Sequence, residues 1–440
     1  MRVAVVGSGP AGIYTAEALV KQSAEPVEVD VIERLPTPYG LVRYGVAPDH
    51  TSIKSIANYL RRVLELPQVR FLGELTLGED LSVADLLGCY DAVVYCTGAM
   101  VDRRLGIPGE DLPGSVAATD FVNWYCGHPD VDPGRFVLDS PEVAVIGVGN
   151  VAVDVVRVLA KTAEELSPTD VPQEVLERLA ASQVKAIHMV GRRGPQHAKF
   201  TLKELRELGD LTNADVCVHP DEAVVPEADY PRQIKGNIDV LRSWSTQTAE
   251  GRPRRLDVRF WMKPVEILGE THVTGLRLER THLNEEGRVV GTGEFETLPV
   301  GMVLRSVGYQ SVPLPDVPFD RATMTVPNQA GRVRDREYVA GWLKRGPTGV
   351  IGTNKSDAAE TVRTLLADLA DLPPVRLGRI DDLLNARGLY PVDYAGWRRI
   401  EDAEAALARS LNRGDRVKLV GLQAMRDARE GLQAEPGEDV

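Results

Sequence analysis

Two glycine-rich segments hold the residues best suited to bind the phosphate groups of a nucleotide. The first is Gly7-Ser8-Gly9-Pro10-Ala11-Gly12, which lies between the apolar run 2–6 and a stretch with apolar residues at helical spacing. In such a strand–turn–helix unit, the glycines allow a tight turn and let a pyrophosphate approach the helix N-terminus. Residues 27–32 form the predicted next strand, and Glu33 at its end can accept the hydroxyls of a ribose.

The second segment is Gly147-Val148-Gly149-Asn150-Val151-Ala152, between a predicted strand over 141–146 and a helix. The following strand, 184–190, ends at Gly191-Arg192-Arg193 and not at a carboxylate. Planar guanidinium groups suit a 2′-phosphate, so this unit favours NADP over NAD. Glu204 follows, and its carboxylate could bind a ribose hydroxyl or an adenine amine.

Two dinucleotide units in one chain predict a flavoprotein with a nicotinamide partner, with FAD at the first unit and NADP(H) at the second. A flavin accepts hydride and can release electrons singly. Two further segments fit this interpretation. The loop 36–50 follows the ribose acid and ends at His50, whose ring could exchange a proton near neutral pH. The segment 338–354 contains Trp342 and predicts a helix that begins near Val350, with N–H groups facing a reduced flavin.

The elements that must position these residues give an α/β fold with two Rossmann-like dinucleotide-binding units. Apolar strands over 90–98 and 301–309 close the two units. Residues 163–182 predict an inserted pair of helices in the second unit. The last forty residues predict an amphipathic helix followed by the acidic tail 435–440.

Composition excludes several classes of function. The chain has 440 residues and a formal net charge of −13, which argues against general nucleic-acid binding. Its apolar runs are too short to span a membrane, and no leader precedes the first strand, so we expect a cytoplasmic protein. The four cysteines form no C-x-x-C pair and fit no metal or iron–sulfur site, so we expect reduced, mostly buried thiols.

Several longer motifs make the chain resemble the adrenodoxin-reductase-type NADPH–ferredoxin reductases. They are the first glycine segment, Pro-Tyr-Gly-Leu-Val-Arg-Tyr-Gly-Val-Ala-Pro-Asp-His (38–50), Ile-Pro-Gly-Glu-Asp-Leu-Pro-Gly (107–114), Val-Gly-Arg-Arg-Gly-Pro (190–195) and Gly-Trp-Leu-Lys-Arg-Gly-Pro-Thr-Gly-Val-Ile-Gly-Thr-Asn (341–354). The resemblance implies a discontinuous FAD domain, 1–105 and 326–440, with an NADP domain, 106–325, inserted into it. The C-terminal 80 residues contribute nothing specific to it.

The resemblance also assigns residues. It implies FAD contacts at Gly7, Gly9, Pro10, Ala11, Gly12, Glu33, Leu41, Val42, Trp342, Gly349, Val350 and Ile351. It implies NADP(H) contacts at Arg103, Gly149, Asn150, Val151, Ala152, Arg192, Arg193, Glu204 and Gly349. His50 and Glu207 match residues to which relatives assign a part in hydride transfer and the associated proton movement.

The function implied is transfer of hydride from NADPH to flavin N5, then of single electrons to a separate ferredoxin, by a monomer. An acidic ferredoxin needs a local basic patch, for which we consider Arg61-Arg62, Lys199-Lys203-Arg206 and Arg252-Arg254-Arg255. One alternative function is that of an NADPH diaphorase, or of a reductase subunit like that of glutamate synthase. A second alternative is a regulatory module that binds flavin without catalytic turnover. The missing dithiol disfavours a glutathione-reductase-like enzyme.

Overall fold

The computed structural model describes residues 1–371 and 378–431. Its strands are β1 Arg2–Val6, β2 Glu28–Ile32, β3 Val69–Leu72, β4 Ala92–Tyr95, β5 Val101–Asp102, β6 Ser115–Ala117, β7 Glu142–Ile146, β8 Ala186–Val190, β9 Ala214–Val218, β10 Arg254–Arg259, β11 Met262–Leu268, β12 Gly275–Leu283, β13 Val289–Leu298, β14 Met302–Arg305, β15 Tyr309–Gln310, β16 Arg332–Arg334 and β17 Glu337–Val339. Its α-helices are α1 Pro10–Gln22, α2 Leu41–Tyr44, α3 Thr51–Lys54, α4 Ala57–Leu64, α5 Val83–Cys89, α6 Ala118–Tyr125, α7 Asn150–Ala160, α8 Ala163–Leu166, α9 Gln173–Ala180, α10 Leu202–Gly209, α11 Arg232–Thr246, α12 Trp342–Arg345, α13 Thr353–Asp371, α14 Ile380–Arg387, α15 Tyr394–Ser410 and α16 Leu422–Glu430.

The first sheet is centred on β1 and has the strand order β16-β17-β4-β1-β2-β3. β1 pairs in parallel with β2 and with β4, and residues Val3–Val6 are buried. A parallel strand of this kind must be covered on both faces, which explains its continuous run of apolar residues. Helices α1 and α13 cover one face, with Ile13 and Val362 in the same buried cluster as Val5.

The second sheet is parallel throughout and has the order β6-β14-β7-β8-β10-β9. One face packs on helices α6, α7, α10 and α11, which contribute Phe121, Val153 and Leu205 to a shared core. The antiparallel sheet β11-β12-β13 covers the opposite face, where Leu276 and Leu278 meet Ile146. The second glycine segment therefore follows the carboxyl end of an interior strand, β7, just as the first follows β1.

A two-stranded ribbon, β5 with β15, links the two places where the chain passes between the sheets. The first sheet takes its strands from residues 2–95 and 332–339, and the second from residues 115–305. The α/β class with two Rossmann-like units is confirmed by this topology. The domain boundaries given above stay a prediction.

The predicted elements around both glycine segments are present within one to three residues of their expected bounds, as is the helix pair α8–α9. The helix expected near Val350 begins later, at Thr353. The cause is a turn: Gly349 has φ +81°, and the Val350 N–H donates to Oγ1 of Thr353 at 3.2 Å. The acidic tail 435–440 lies outside the described residues. No helix in the described part of the chain combines the length and apolarity that crossing a bilayer requires.

Helix α15 and the segment between α15 and α16 hold the loop that follows β2. Both terminal guanidinium nitrogens of Arg43 donate to Glu404, at 2.5 and 3.1 Å, and both side chains are buried. Lys418 is also buried, and its Nζ donates to the backbone oxygens of Arg43 at 2.6 Å and Cys126 at 2.9 Å. Burial lowers the pKa of Lys418 to about 8, although Asp170 acts in the opposite direction. We call Arg43, Glu404 and Lys418 the C-terminal clasp.

Candidate functional site

Two of the three glycines in the first turn, Gly7 and Gly12, leave no room for a side chain. Gly7 has φ +105°, and a Cβ added there would lie 2.6 Å from the carbonyl oxygen of Cys96. A Cβ on Gly12 would lie 1.8 Å from the Gly7 oxygen, so the third glycine brings α1 against β1. At Gly9, by contrast, an added Cβ meets nothing closer than the Cα of Gly40 at 4.0 Å. The N-terminus of α1 thus presents its free N–H groups across an open backbone surface.

Glu33 is fixed at the end of β2 beside this turn. Its Oε2 accepts hydrogen bonds from the backbone N–H of Ser8 at 2.9 Å and from the Ser8 hydroxyl at 2.7 Å. Its Oε1 accepts from the backbone N–H of Leu35 at 3.1 Å. The carboxylate therefore stands where the sequence places a ribose acid, next to the helix end that would bind a pyrophosphate.

The loop after β2 packs directly on the glycine turn. Tyr39 and Gly40 have φ of +84° and +47°, and a Cβ on Gly40 would lie 3.0 Å from the Cα of Gly9. This reversal starts α2, so Leu41 and Val42 line the cavity beside the turn. Both residues were predicted to contact the dinucleotide, and that contact stays a prediction.

Trp342 reaches the site from the second half of the first sheet. Gly341, with φ +76°, packs so closely that a Cβ there would lie 2.5 Å from the Cβ of Ala11. The Trp342 ring lies 5.6 Å from the ring of Tyr309 at an angle of 30°, and its Nε1 donates to the Thr348 oxygen at 3.1 Å. The turn 349–351 lies beside it and also lines the cavity.

The second glycine turn repeats the geometry of the first. Gly147 has φ +139°, and a Cβ there would lie 2.1 Å from the Ser306 oxygen. Gly149 precedes the first residue of α7, and the side-chain oxygen of Asn150 accepts from the Thr201 N–H at 2.9 Å. Ala152 is fully buried, so it packs α7 on the sheet as the third position of such a motif requires.

The arginines predicted for the phosphates are free to bind them. Arg103, Arg192 and Arg193 are exposed, and none of their guanidinium groups forms a hydrogen bond or ion pair with the residues that the structure describes. Glu204 is only 8% exposed, and its Oε2 has no hydrogen-bond partner within the same ranges. A buried acceptor without a donor is costly, so a ligand that donates to Glu204 would complete this site.

The first glycine turn and the residues Asn150 and Val151, which begin α7 after the second turn, line one cavity of about 1110 Å³. Among the predicted residues, its lining includes Gly7, Gly9, Pro10, Ala11, Glu33, Leu41, Val42, Asn150, Val151, Glu204, Trp342, Gly349, Val350 and Ile351. Sequence reasoning missed other lining residues, among them Tyr14, Thr119, Asn123, His128 and Tyr309. Of these, Tyr309 follows the glycine that closes the strand over 301–309, which is the one signal that could have indicated it.

His50 and Glu207, 157 residues apart in the sequence, are in direct contact. Nε2 of His50 lies 2.7 Å from Oε2 of Glu207, and Nδ1 lies 3.6 Å from Asp154. The pair lies beside the cavity, since Ser52 and Glu204 line its wall. The structure therefore brings both predicted residues together, and Asp154 is a partner that sequence reasoning missed.

A buried arginine organises the carboxylates around this pair. Arg157 donates to both oxygens of Asp49 at 2.8 and 2.9 Å and to Asp154 at 3.0 Å, and it lies 3.4 Å from Glu207. Burial raises the pKa of Asp49, but the hydrogen bonds from Arg157 and Lys161 outweigh it and hold the pKa well below its usual range. Charged residues at positions 154 and 157 of an otherwise apolar helix were the signal for this network.

All four cysteines are free, and Cys89, Cys96 and Cys126 are buried as expected. No group of His, Cys, Asp and Glu side chains within residues 1–371 and 378–431 has the arrangement of a metal site. The third basic segment is structural: Arg252 and Arg254 donate to backbone oxygens, the latter to Leu159 and Lys161, and Arg255 pairs with Asp257. These donors are not available to a partner.

Fold and site together define an oxidoreductase, and the family model of the pyridine nucleotide-disulphide oxidoreductases matches residues 1–209. The chain is 44% identical to NADPH-ferredoxin reductase FprA of Mycobacterium tuberculosis, over 96% of this chain and 97% of that protein. It is 39% identical to the mitochondrial NADPH:adrenodoxin oxidoreductase of Arabidopsis thaliana, over 96% and 93%. The structure of Mycobacterium tuberculosis FprA in complex with NADPH matches with a TM-score of 0.93 at 42% identity, covering 98% of this chain and 99% of that one. The chain belongs to the family of NADPH–ferredoxin and NADPH–adrenodoxin reductases.

The buried position of Asp154 predicts a pH-dependent stability difference. Burial raises the pKa of Asp154 to about 6, against the lowering influence of Arg157 and His50. Folding therefore favours its protonated form, and this contribution to stability is lost as the pH rises through about 6. The free energy of unfolding of Asp154→Asn should equal that of the wild type near pH 4. At pH 7.5 it should be larger by about 3 kcal/mol, because the pKa of Asp154 is raised by about 2 units from its ordinary value.

Urea unfolding at the two pH values measures this difference. Glu286→Gln, at an exposed carboxylate paired with Arg288, is the matched control and should show no pH-dependent change. A difference between Asp154→Asn and wild type that stays constant from pH 4 to pH 7.5 would contradict the buried-acid interpretation.

Proposed function

We propose that the chain is an FAD-containing reductase that takes hydride from NADPH and delivers electrons one at a time to a ferredoxin-type iron–sulfur protein. The observation that carries this proposal is the single cavity that is lined both by the first glycine turn and by Asn150 and Val151 at the N-terminus of α7. FAD, when bound, accepts two electrons as hydride and releases them singly, which is the chemistry needed between a nicotinamide and an iron–sulfur carrier. Membership of the family supports the same function.

The first unit fits FAD. The open backbone at Gly9 and the free N–H groups of α1 would hold the pyrophosphate, and Glu33 would hold the ribose. Leu41, Val42 and the turn 349–351 would line the ring system, with Trp342 at its edge. The N–H groups of Gly349 and Ile351 would favour negative charge on the reduced ring, whereas that of Val350 donates to Thr353.

The second unit fits NADP(H). The N-terminus of α7 would hold its pyrophosphate, while Arg192 and Arg193 would grip the 2′-phosphate. Arg103 would add a third cation, and Glu204 would accept from a ribose hydroxyl or an adenine amine.

His50 and Glu207 would orient and carry the proton that accompanies hydride transfer. The 2.7 Å contact lets Glu207 fix the orientation of the imidazole, so that Nε2 holds the proton between them. Asp154 and Arg157 would keep this pair in place from the buried side.

The test of the function is NADPH-dependent reduction of cytochrome c by the purified yellow protein, with and without added ferredoxin, and with NADH in parallel. We expect a strong dependence on ferredoxin and a preference for NADPH. Bound flavin with no ferredoxin effect across several ferredoxins would contradict the proposal. That outcome would point to a diaphorase or to flavin binding without turnover.

The two arginines after β8 should determine the preference for NADPH. Replacing Arg192 and Arg193 by Ala should raise the KM for NADPH about 10- to 100-fold for each arginine, since each charge-assisted contact to a phosphate contributes about 1.5–3 kcal/mol. The KM for NADH should change little, because NADH lacks the 2′-phosphate. Equal losses with both nucleotides would show that the arginines do not bind that group.

We also propose where the iron–sulfur partner docks. Arg62, Lys203 and Arg206, which we call the mouth patch, lie on helices that border the cavity. Arg62 lines it, and Lys203 donates to the lining residue Ser52 at 3.4 Å. Arg62 and Arg206 form no ion pair with the described residues, whereas Arg61 is paired with Glu65 at 2.8 Å. An acidic ferredoxin on this patch would approach the flavin over a short distance.

Charge reversal tests the mouth patch. Lys203→Glu combined with Arg206→Glu should raise the Kd for ferredoxin about tenfold at low salt, and the loss should shrink at high salt because exposed charges are screened. Arg288→Glu is the control, since Arg288 is exposed on the β12–β13 turn. The same loss in the control would indicate a general charge effect and contradict the proposed surface.

We also propose that the protein is a monomer and that it is located in the cytoplasm. The free cysteines support a reducing compartment, since exported proteins commonly form disulfides.

A further inference from the structure

Lys199 lies beside the second glycine turn and belongs neither to the proposed NADP(H) contacts nor to the mouth patch. Two hydrogen bonds hold its segment against the N-terminus of α7. The Lys199 N–H donates to the Val148 oxygen at 2.8 Å, and the Thr201 N–H donates to the side-chain oxygen of Asn150 at 2.9 Å. The segment 199–201 is thus fixed relative to the helix end that would bind a pyrophosphate.

The side chain of Lys199 begins close to that helix end. A Cβ built on Gly149 would lie 3.9 Å from the Cβ of Lys199. Gly149 directly precedes α7, so the flexible four-carbon stem of Lys199 can bring its ammonium group to an anion bound there. Arg192 and Arg193 lie at the end of β8, where the fold positions the ribose.

The ammonium group of Lys199 is exposed and forms no hydrogen bond or ion pair within the described ranges. Lys203, four residues further along the chain, does have a partner, since its Nζ donates to Oγ of Ser52. The pKa of His197 is lowered by burial and by the nearby charges of Arg193 and Lys199, which marks this rim as positive. Uncompensated positive charge on a chain of net charge −13 is a local feature that favours an anionic ligand.

A second observation marks the same helix end as a ligand site. Glu204 is only 8% exposed, lines the cavity together with Asn150 and Val151, and has an Oε2 without a partner among the described residues. A ligand that extends from the helix end towards Glu204 would supply the missing donor. Such a ligand carries phosphate at one part and a hydroxyl or amine at another.

We propose that Lys199 binds the pyrophosphate of the dinucleotide, the group that NADP(H) shares with NAD(H). In this assignment Lys199 contributes affinity, and Arg192 and Arg193 contribute selectivity for the 2′-phosphate. The proposal rests on the proposed NADP(H) site. It also separates Lys199 from the basic surface proposed for ferredoxin, although Lys199, Lys203 and Arg206 are close in the sequence.

The test is calorimetric binding to the full chain with its FAD, using NADP⁺, NAD⁺ and adenosine 2′-monophosphate. Lys199→Ala should raise the Kd for NADP⁺ and NAD⁺ by the same factor, roughly tenfold, because a charge-assisted contact to the shared pyrophosphate is lost. Binding of adenosine 2′-monophosphate, which lacks the pyrophosphate, should stay unchanged. Lys199→Arg should restore most of the affinity. The matched control Lys185→Ala, at an exposed lysine at the opposite end of β8 from Arg192, should alter none of the three.

Two results would overturn the assignment. One is no change in the Kd for NADP⁺ in Lys199→Ala. The other is a loss of affinity for NADP⁺ and adenosine 2′-monophosphate with no loss of affinity for NAD⁺, which would assign Lys199 to the 2′-phosphate. Arg192→Ala, measured in parallel, tests the proposed NADP(H) site independently of Lys199. If this substitution weakens the binding of NADP⁺ and NAD⁺ equally, the proposed orientation of NADP(H) is wrong, whatever the effect of Lys199→Ala.

Discussion

The buried ion pair between Arg43 and Glu404 is the interaction on which the site depends most. A buried charge that loses its partner costs several kcal/mol, so the loop carrying Arg43 cannot leave α15 without a large penalty. That loop contributes Leu41 and Val42 to the cavity wall and carries His50 at its far end. The C-terminal helices supply none of the proposed ligand contacts, yet the clasp sets the position of residues that do.

The same loop couples the two nucleotide units. At one end Gly40 packs on Gly9, and at the other His50 contacts Glu207 of α10. Asp49, next to His50, accepts two hydrogen bonds from Arg157 of α7. The segment 40–50 therefore touches the first glycine turn and two helices of the second unit, so any displacement of one unit is transmitted to the contacts of the other.

Local patterns predicted the two turns and Glu33, because each depends on residues close together in the sequence. Contacts between distant segments could not be derived in this way. The assignment of His50 and Glu207 to one reaction followed from a family resemblance and not from their spacing. Their direct contact was not predicted, and the part played by Asp154 and Arg157 was missed. The C-terminal clasp joins residues 361 positions apart, which no periodicity can indicate. Helix α13 begins at Thr353 and not near Val350 as predicted, because a turn at Gly349 precedes it. The positive φ of that glycine is not specified by the sequence.

The strand order of the first sheet has a consequence for synthesis on the ribosome. β4 has β17 as one of its two neighbours, and β17 and β16 come from residues 332–339, after every strand of the second sheet. As the chain emerges, the inserted sheet has its full set of strands while the flanking sheet still exposes the edge of β4. Domains generally fold as units as they are completed, so the inserted unit has the opportunity to fold first. The apolar edge of β4 must then stay unpaired until the chain beyond residue 339 has emerged.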